Sequence, residues 1–204
     1  MTVSPRARWN RFARLTRIAA VASILLVPVP GLAQGWIEYV NEVDRFGVTL
    51  PGQPSSQEIT TTSSQGVTLP ARVYAVENGP SRYSVTVVDY TSNDDITDVI
   101  GAVAHEAWQI RKRDGEITFD AYAQADRIAG HELYLTNPDG SLTLVGIFLH
   151  EKRVYKLEAT VPPGAPPPLL FQQSLHVFDE TGERVRYEIN ADGQRLRRVP
   201  TGCF

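Results

Sequence analysis

The chain contains one cysteine, Cys203, so no disulfide can form within it and the core alone must hold the fold. Lysine is almost missing: Lys112, Lys152 and Lys156 stand among 20 basic residues, and the others are arginine. No apolar run reaches the roughly 20 residues that a membrane-spanning helix requires. There is no Gly-x-x-x-x-Gly-Lys-Ser/Thr loop and no Gly-x-Gly-x-x-Gly run, so neither common phosphate cradle is present. There is also no Gly-x-Ser-x-Gly elbow to expose a nucleophilic serine.

The first 17 residues carry Arg6, Arg8, Arg11, Arg14 and Arg17 and no acidic residue. Residues 18–27 follow as a ten-residue run, apolar except for Ser23, and Pro28 and Pro30 end it. Gly31, Leu32 and Ala33 then place small residues at −3 and −1 of a cut before Gln34. A basic segment, a short apolar segment and a small-x-small site are the parts of a secretory signal. We expect residues 1–33 to be removed between Ala33 and Gln34, and the chain to be periplasmic or secreted; an uncleaved anchor is the competing reading. No adjacent Arg-Arg pair supports a twin-arginine route.

Removal of residues 1–33 leaves 171 residues, enough for one domain with a substantial core. It leaves 15 basic against 23 acidic residues, a net charge of −8. Such a chain repels phosphate backbones and anionic lipid, so nucleic acid and membrane are not expected as partners after cleavage. Another protein is the expected partner.

From residue 36 onward the pattern is one of short strands between turn signals. Trp36, Glu38 and Val40 alternate with Ile37 and Tyr39, and Phe46-Gly47-Val48-Thr49-Leu50 precedes Pro51-Gly52. Residues 67–76 and 82–90 are β-branched and aromatic, joined through Asn78-Gly79-Pro80, with Tyr83, Val85 and Val87 on one face. The period then becomes helical: Ile96, Val99, Ile100, Val103, Ala107, Trp108 and Ile110 predict a long helix over 94–112, with Trp108 in the core. Acidic residues at its start and basic ones at its end suit the helix dipole. Strands resume at Ile117 and Leu133, and Asn137-Pro138-Asp139-Gly140 predicts a β-turn. Residues 142–149 and 154–161 complete an antiparallel meander, with Tyr155, Leu157 and Ala159 on one face and Lys156 and Glu158 on the other. A proline-rich connector leads to a second helix over 169–178, a short strand at Val185, Tyr187 and Ile189, and a flexible tail over 190–204. The fold class is thus α+β: a central, mostly antiparallel sheet with one long helix and one C-terminal helix packed on it, in a single domain over 34–189.

The segment Phe46-Gly47-Val48-Thr49-Leu50-Pro51-Gly52-Gln53-Pro54 resembles the opening of exported bacterial proteins of the PsbP-like α/β/α sandwich group. Arg153-Val154-Tyr155-Lys156-Leu157 leading to Phe171-x-x-Ser174-Leu175 is similar to their late strand and final helix. The resemblance covers about residues 36–188. It implies an accessory or partner-binding role and carries no catalytic residues over.

His-Glu occurs three times, as His105-Glu106, His131-Glu132 and His150-Glu151, and these are the residues that could ligate a divalent ion. Neighbours on a strand point to opposite faces, so each strand pair could offer only one ligand. Cys203 beside Phe204 has no base held near it, and Arg195, Arg197 and Arg198 form a small basic cluster. Trp36, Tyr39 and Trp108 are candidates to line an apolar pocket. We expect no catalytic, cofactor-binding or metal-ligating residue and no cofactor. The leading function is that of an exported, non-enzymatic binding or accessory protein acting through its surface. The alternative is a small-ligand or metal-binding domain, with an enzyme third.

Overall fold

The computed structural model describes residues 35–91 and 99–198, which lie within one unit, Gln34–Phe204. The proposed cleavage point between Ala33 and Gln34, Ile96, and Cys203 lie outside the described residues.

Seven strands form one antiparallel sheet. They are β3 (Ser55–Thr62), β4 (Thr68–Asn78), β5 (Ser81–Asp89), β6 (Glu116–Ala125), β7 (Ile128–Thr136), β8 (Leu142–His150) and β9 (Arg153–Val161). The spatial order is β3-β4-β5-β9-β8-β7-β6, so two meanders meet where β5 pairs with β9. The first meander turns at Gly79, whose φ of 58° lies in the left-handed region that glycine adopts without strain. The Asn137–Gly140 turn forms as the sequence predicts: the amide of Gly140 donates to the Asn137 carbonyl at 2.8 Å. A helix, α1 (Val99–Arg111), lies in the connection from β5 to β6.

Two clusters bury the two faces of the sheet. On one face Ala102, Ala107 and Ile110 of α1 pack against Leu133, Leu135, Val145, Ile147 and Val154. Glu106, on the same side of α1, is bonded to Lys156 of β9 at 2.7 Å, and Arg113 grips Glu158 with two bonds of 2.7 and 2.9 Å. Alternation along β9 thus aims Lys156 and Glu158 at the helix, while Tyr155, Leu157 and Ala159 enter the opposite core. That second core is covered by a three-stranded sheet, β1 (Ile37–Asn41), β2 (Phe46–Leu50) and β10 (His176–Val177), in the order β1-β2-β10. A single helical turn, α2 (Leu169–Gln172), adds Phe171 to it.

The structure is therefore a mostly antiparallel sheet with two helices; α1 covers the described part of the helix expected over 94–112, and the second helix is shorter than the periodicity suggests. The second helix, expected over 169–178, stops after four residues. Ser174 is the reason: its hydroxyl donates to the Phe171 carbonyl, which a continued helix would use, and accepts the Thr49 amide of β2, both at 2.8 Å. The chain then runs extended and pairs His176 with Gly47 and Val177 with Phe46. Phe171 and Leu175 of the expected stripe reach the core without a longer helix, while Val177 enters it in place of Phe178, which stays half-buried. Trp108, expected in the core, lies outside it. It is 47% exposed, because Glu106, Ala107 and Ile110 occupy the inward positions, and the Lys112 ammonium sits 3.1 Å from its ring centroid.

The short strand expected at Val185, Tyr187 and Ile189 pairs as a ribbon with the first part of the segment expected as a flexible tail, which is described as far as residue 198. β11 (Tyr187–Ile189) pairs with β12 (Arg195–Arg197), the Arg195 guanidinium lies 4.3 Å over the Tyr187 ring, and Arg197 pairs with Asp179. All three residues of β12 are exposed, and exposed ion pairs contribute little to stability. Truncation after Ile189 is expected to lower the melting temperature by no more than a few degrees. A larger fall in the melting curve would show that the ribbon is part of the cooperative unit.

Candidate functional site

α1 crosses the sheet with small residues on the side nearest β7. Ala104 and Ala107 of α1, with Ala129 and the backbone of Gly130 of β7, line a groove of about 460 Å³ that the small alanine side chains leave open. Leu149 of β8 and Val103 complete an apolar floor. Gly130 has its own reason to be glycine: a Cβ there would run into the Ile147 carbonyl and the Phe148 ring.

One end of the groove is polar. The β6–β7 hairpin turns at Asp126 and Arg127, with φ of 48° and 64°, and its register sets Tyr122 opposite His131 and Asp120 opposite Leu133. Asp120 and Tyr122 thereby share the helix-side face with His131. Arg111, in the last turn of α1, donates to Asp120 from Nε at 2.6 Å and from Nη2 at 2.7 Å. His131 Nε2 lies 2.5 Å from Asp120 Oδ1 and 3.1 Å from Arg111 Nη2. The Tyr122 ring stands edge-on to the His131 imidazole at 5.4 Å and is 94% exposed. Arg195 of β12 also lines the groove.

The two hydrogen bonds from Arg111 hold the Asp120 carboxyl well below the usual carboxylate range, with His131 adding to the effect and partial burial opposing it. The same pairing raises Arg111. Such a depressed carboxyl stabilises the fold above its unfolded value of 3.8, and that contribution disappears as pH falls toward the folded value. Asp120→Asn is therefore expected to destabilise the protein at pH 6 and to matter less at pH 3. Equal melting differences at the two pH values would remove Asp120 from this role.

The three His-Glu pairs are dispersed. Adjacent positions on β7 place His131 on the helix side and Glu132 on the other, where Glu132 is within 3.5 Å of the Tyr134 hydroxyl. His105 lies on α1 beside Gln109 at 3.3 Å, while its neighbour Glu106 is buried against Lys156. His150 ends β8 with Nε2 at 3.1 Å from the Tyr187 hydroxyl. Burial is the main cause that lowers its pKa, and Arg195, Arg197 and Arg153 add to the shift. Among the described residues no three His, Cys, Asp or Glu side chains are placed to hold one ion. The candidate aromatics are also separated: Trp36 packs edge-on to Tyr83 at 5.4 Å, Tyr39 packs against Phe46 and Tyr74, and Trp108 is on the outer side of α1.

Arg111, Asp120 and Tyr122 escape the sequence reading because only the hairpin register brings them to His131. An Asp126-Arg127 turn lacks the Asn-Gly signature that would have revealed that register. Arg195 was visible as a basic cluster but not as part of a wall.

A second depression of about 540 Å³ lies by β3 and β4, around Asp44 and Arg72. Its polar centre is internally satisfied. Asp44 is 3% exposed, pairs with Arg72, and accepts the Tyr74 hydroxyl at 2.5 Å. The Tyr155 hydroxyl donates to the Asp44 carbonyl at 3.0 Å. This cluster clamps the β1–β2 turn onto the main sheet.

Among the described residues, no helix is long and apolar enough to cross a membrane. No protein-family model matches the chain, and no curated protein matches it.

Proposed function

We propose that the chain is an exported, non-enzymatic binding protein acting through its surface, and that the groove between α1 and β7 is its binding site. The groove itself carries the reading. Its apolar floor with a few polar lining residues is the composition of ligand sites, and about 460 Å³ lies within the roughly 300–1,000 Å³ of small-molecule clefts. That size favours a small ligand over the docking of a whole protein surface. The resemblance to the PsbP-like group, whose roles are accessory and partner-binding, supports a non-enzymatic role.

Photo-crosslinking in the producing cells tests the site. A photoreactive residue replacing Ala104 is expected to acquire an added mass of small-molecule size in intact-protein mass spectrometry. The same residue at Glu58, by the second depression, is expected to acquire none. Identical products at both positions, or none at Ala104, would remove the groove as the binding surface. Export rests on the arginine-rich N-terminal segment and the small-x-small site. N-terminal sequencing of the fractionated protein is expected to begin at Gln34, and bulk protein beginning at Met1 or Thr2 would refute cleavage.

A further inference from the structure

The geometry points to a free apolar monocarboxylate, an alkyl or aryl chain ending in one carboxylate, as the ligand of the α1–β7 groove. This rests on the binding reading above and extends it to a chemical class.

Charge is the first argument. Residues 34–204 carry 15 basic and 23 acidic residues, yet the groove is lined by Arg111 and Arg195 and by no Asp or Glu. It is a cationic position on an acidic chain, so it selects an anion and the surrounding field disfavours a polyanion. Valence is the second. Arg111 commits Nε and Nη2 to Asp120, so half of its fork and its charge are already answered from behind the groove. Arg195 is held by a cation–π contact with Tyr187 at 4.3 Å and by a marginal 3.5 Å bond to the Arg127 carbonyl. Neither contact neutralises its charge, and the guanidinium fork matches a carboxylate. The uncompensated charge in the wall is therefore about one. The floor is the third argument. Val103, Ala104, Ala107, Ala129 and Leu149 offer methyl and methylene surface alone, which suits a hydrocarbon body and leaves sugars or amino acids without partners for their polar groups. The Tyr122 ring also lines the groove and is exposed, adding aromatic surface for such a chain.

Isothermal titration of the full mature chain with decanoate, decanol and acetate tests the assignment. Decanoate is expected to bind at one site per chain, decanol at least tenfold more weakly, and acetate not measurably. Arg195→Glu is expected to weaken decanoate at least tenfold while leaving decanol unchanged, and Ala104→Trp to abolish both by filling the groove. Melting curves matching the parent confirm that each variant is folded. Equal affinity for decanoate and decanol, or decanoate binding unaffected by Arg195→Glu, would overturn the monocarboxylate assignment. Absence of decanoate binding together with an Arg195-dependent co-sedimentation on phosphatidylglycerol vesicles would also overturn it, in favour of a membrane lipid. Failure here with a small-molecule adduct still found at Ala104 refutes the ligand class alone; failure of both refutes the site.

Discussion

Phe46→Ala is expected to destabilise the protein by about 3–5 kcal/mol, the range for truncating a fully buried phenylalanine. Phe46 has no exposed surface, and its ring lies 5.2 Å from Tyr74, 6.0 Å from Tyr39 and 6.1 Å from Tyr155, centroid to centroid. These partners come from β4, β1 and β9, so one side chain joins the small sheet to the main one. The cavity left behind cannot close easily, because Tyr74 and Tyr155 are fixed by their hydroxyl bonds to Asp44. For a domain of this size each kcal/mol moves the melting temperature by about 2–4 °C, so the expected fall is on the order of 10 °C or more. Val40→Ala, on the neighbouring strand but 46% exposed, is expected to stay within about 0.5 kcal/mol. Similar melting temperatures for the two variants would show that the three-stranded sheet does not cover a core.

Ile110→Asp is expected to be more damaging still. Ile110 is 1% exposed and sits among the side chains that join α1 to the sheet. A carboxylate there loses its water without gaining a built partner. It also falls one turn from Glu106, whose own carboxylate is already buried against Lys156, and like charges at that spacing repel. The cost is expected to exceed about 4 kcal/mol, a large share of the 5–15 kcal/mol that holds a domain together. Val103→Asp makes the informative comparison. Val103 belongs to the same hydrophobic pattern, but it is half-buried and borders the groove, so its carboxylate can reach solvent. Its expected cost is about 1 kcal/mol. Circular-dichroism melts of the two variants decide the matter, and equal losses would mean that the groove is closed to water.

The contrast between these two positions shows where a hydrophobic period stops being informative. Ile110, Ala107 and Val103 fit one helical stripe, and so does Trp108 if the stripe is drawn wide. Only packing against β7 and β8 divides them into core, groove floor and exposed surface. The second helix teaches the same lesson. Phe171, Leu175 and Phe178 recur at helical spacing, but the bonds of Ser174 and the free edge of β2 redirect the chain into an extended segment. Local periodicity reports that side chains must be buried, not which backbone delivers them.

The sequence by itself determined most of the strands, their turns and their inward faces. Alternation in β5 and β9, the Asn78-Gly79-Pro80 and Asn137–Gly140 turns, and the acidic balance are local properties, readable because side chains alternate and turns need particular φ values. It also marked His131 as a candidate metal ligand and Arg195 as part of a basic cluster, but not the groove that both line. Tertiary structure alone decided that β5 would pair with β9, that β10 would join β2, and that Arg111, Asp120, Tyr122 and His131 would meet. Those outcomes depend on register between segments distant in the chain and on which small side chains leave space beside α1. Both are set by the packing of the whole domain, a quantity that no local window contains.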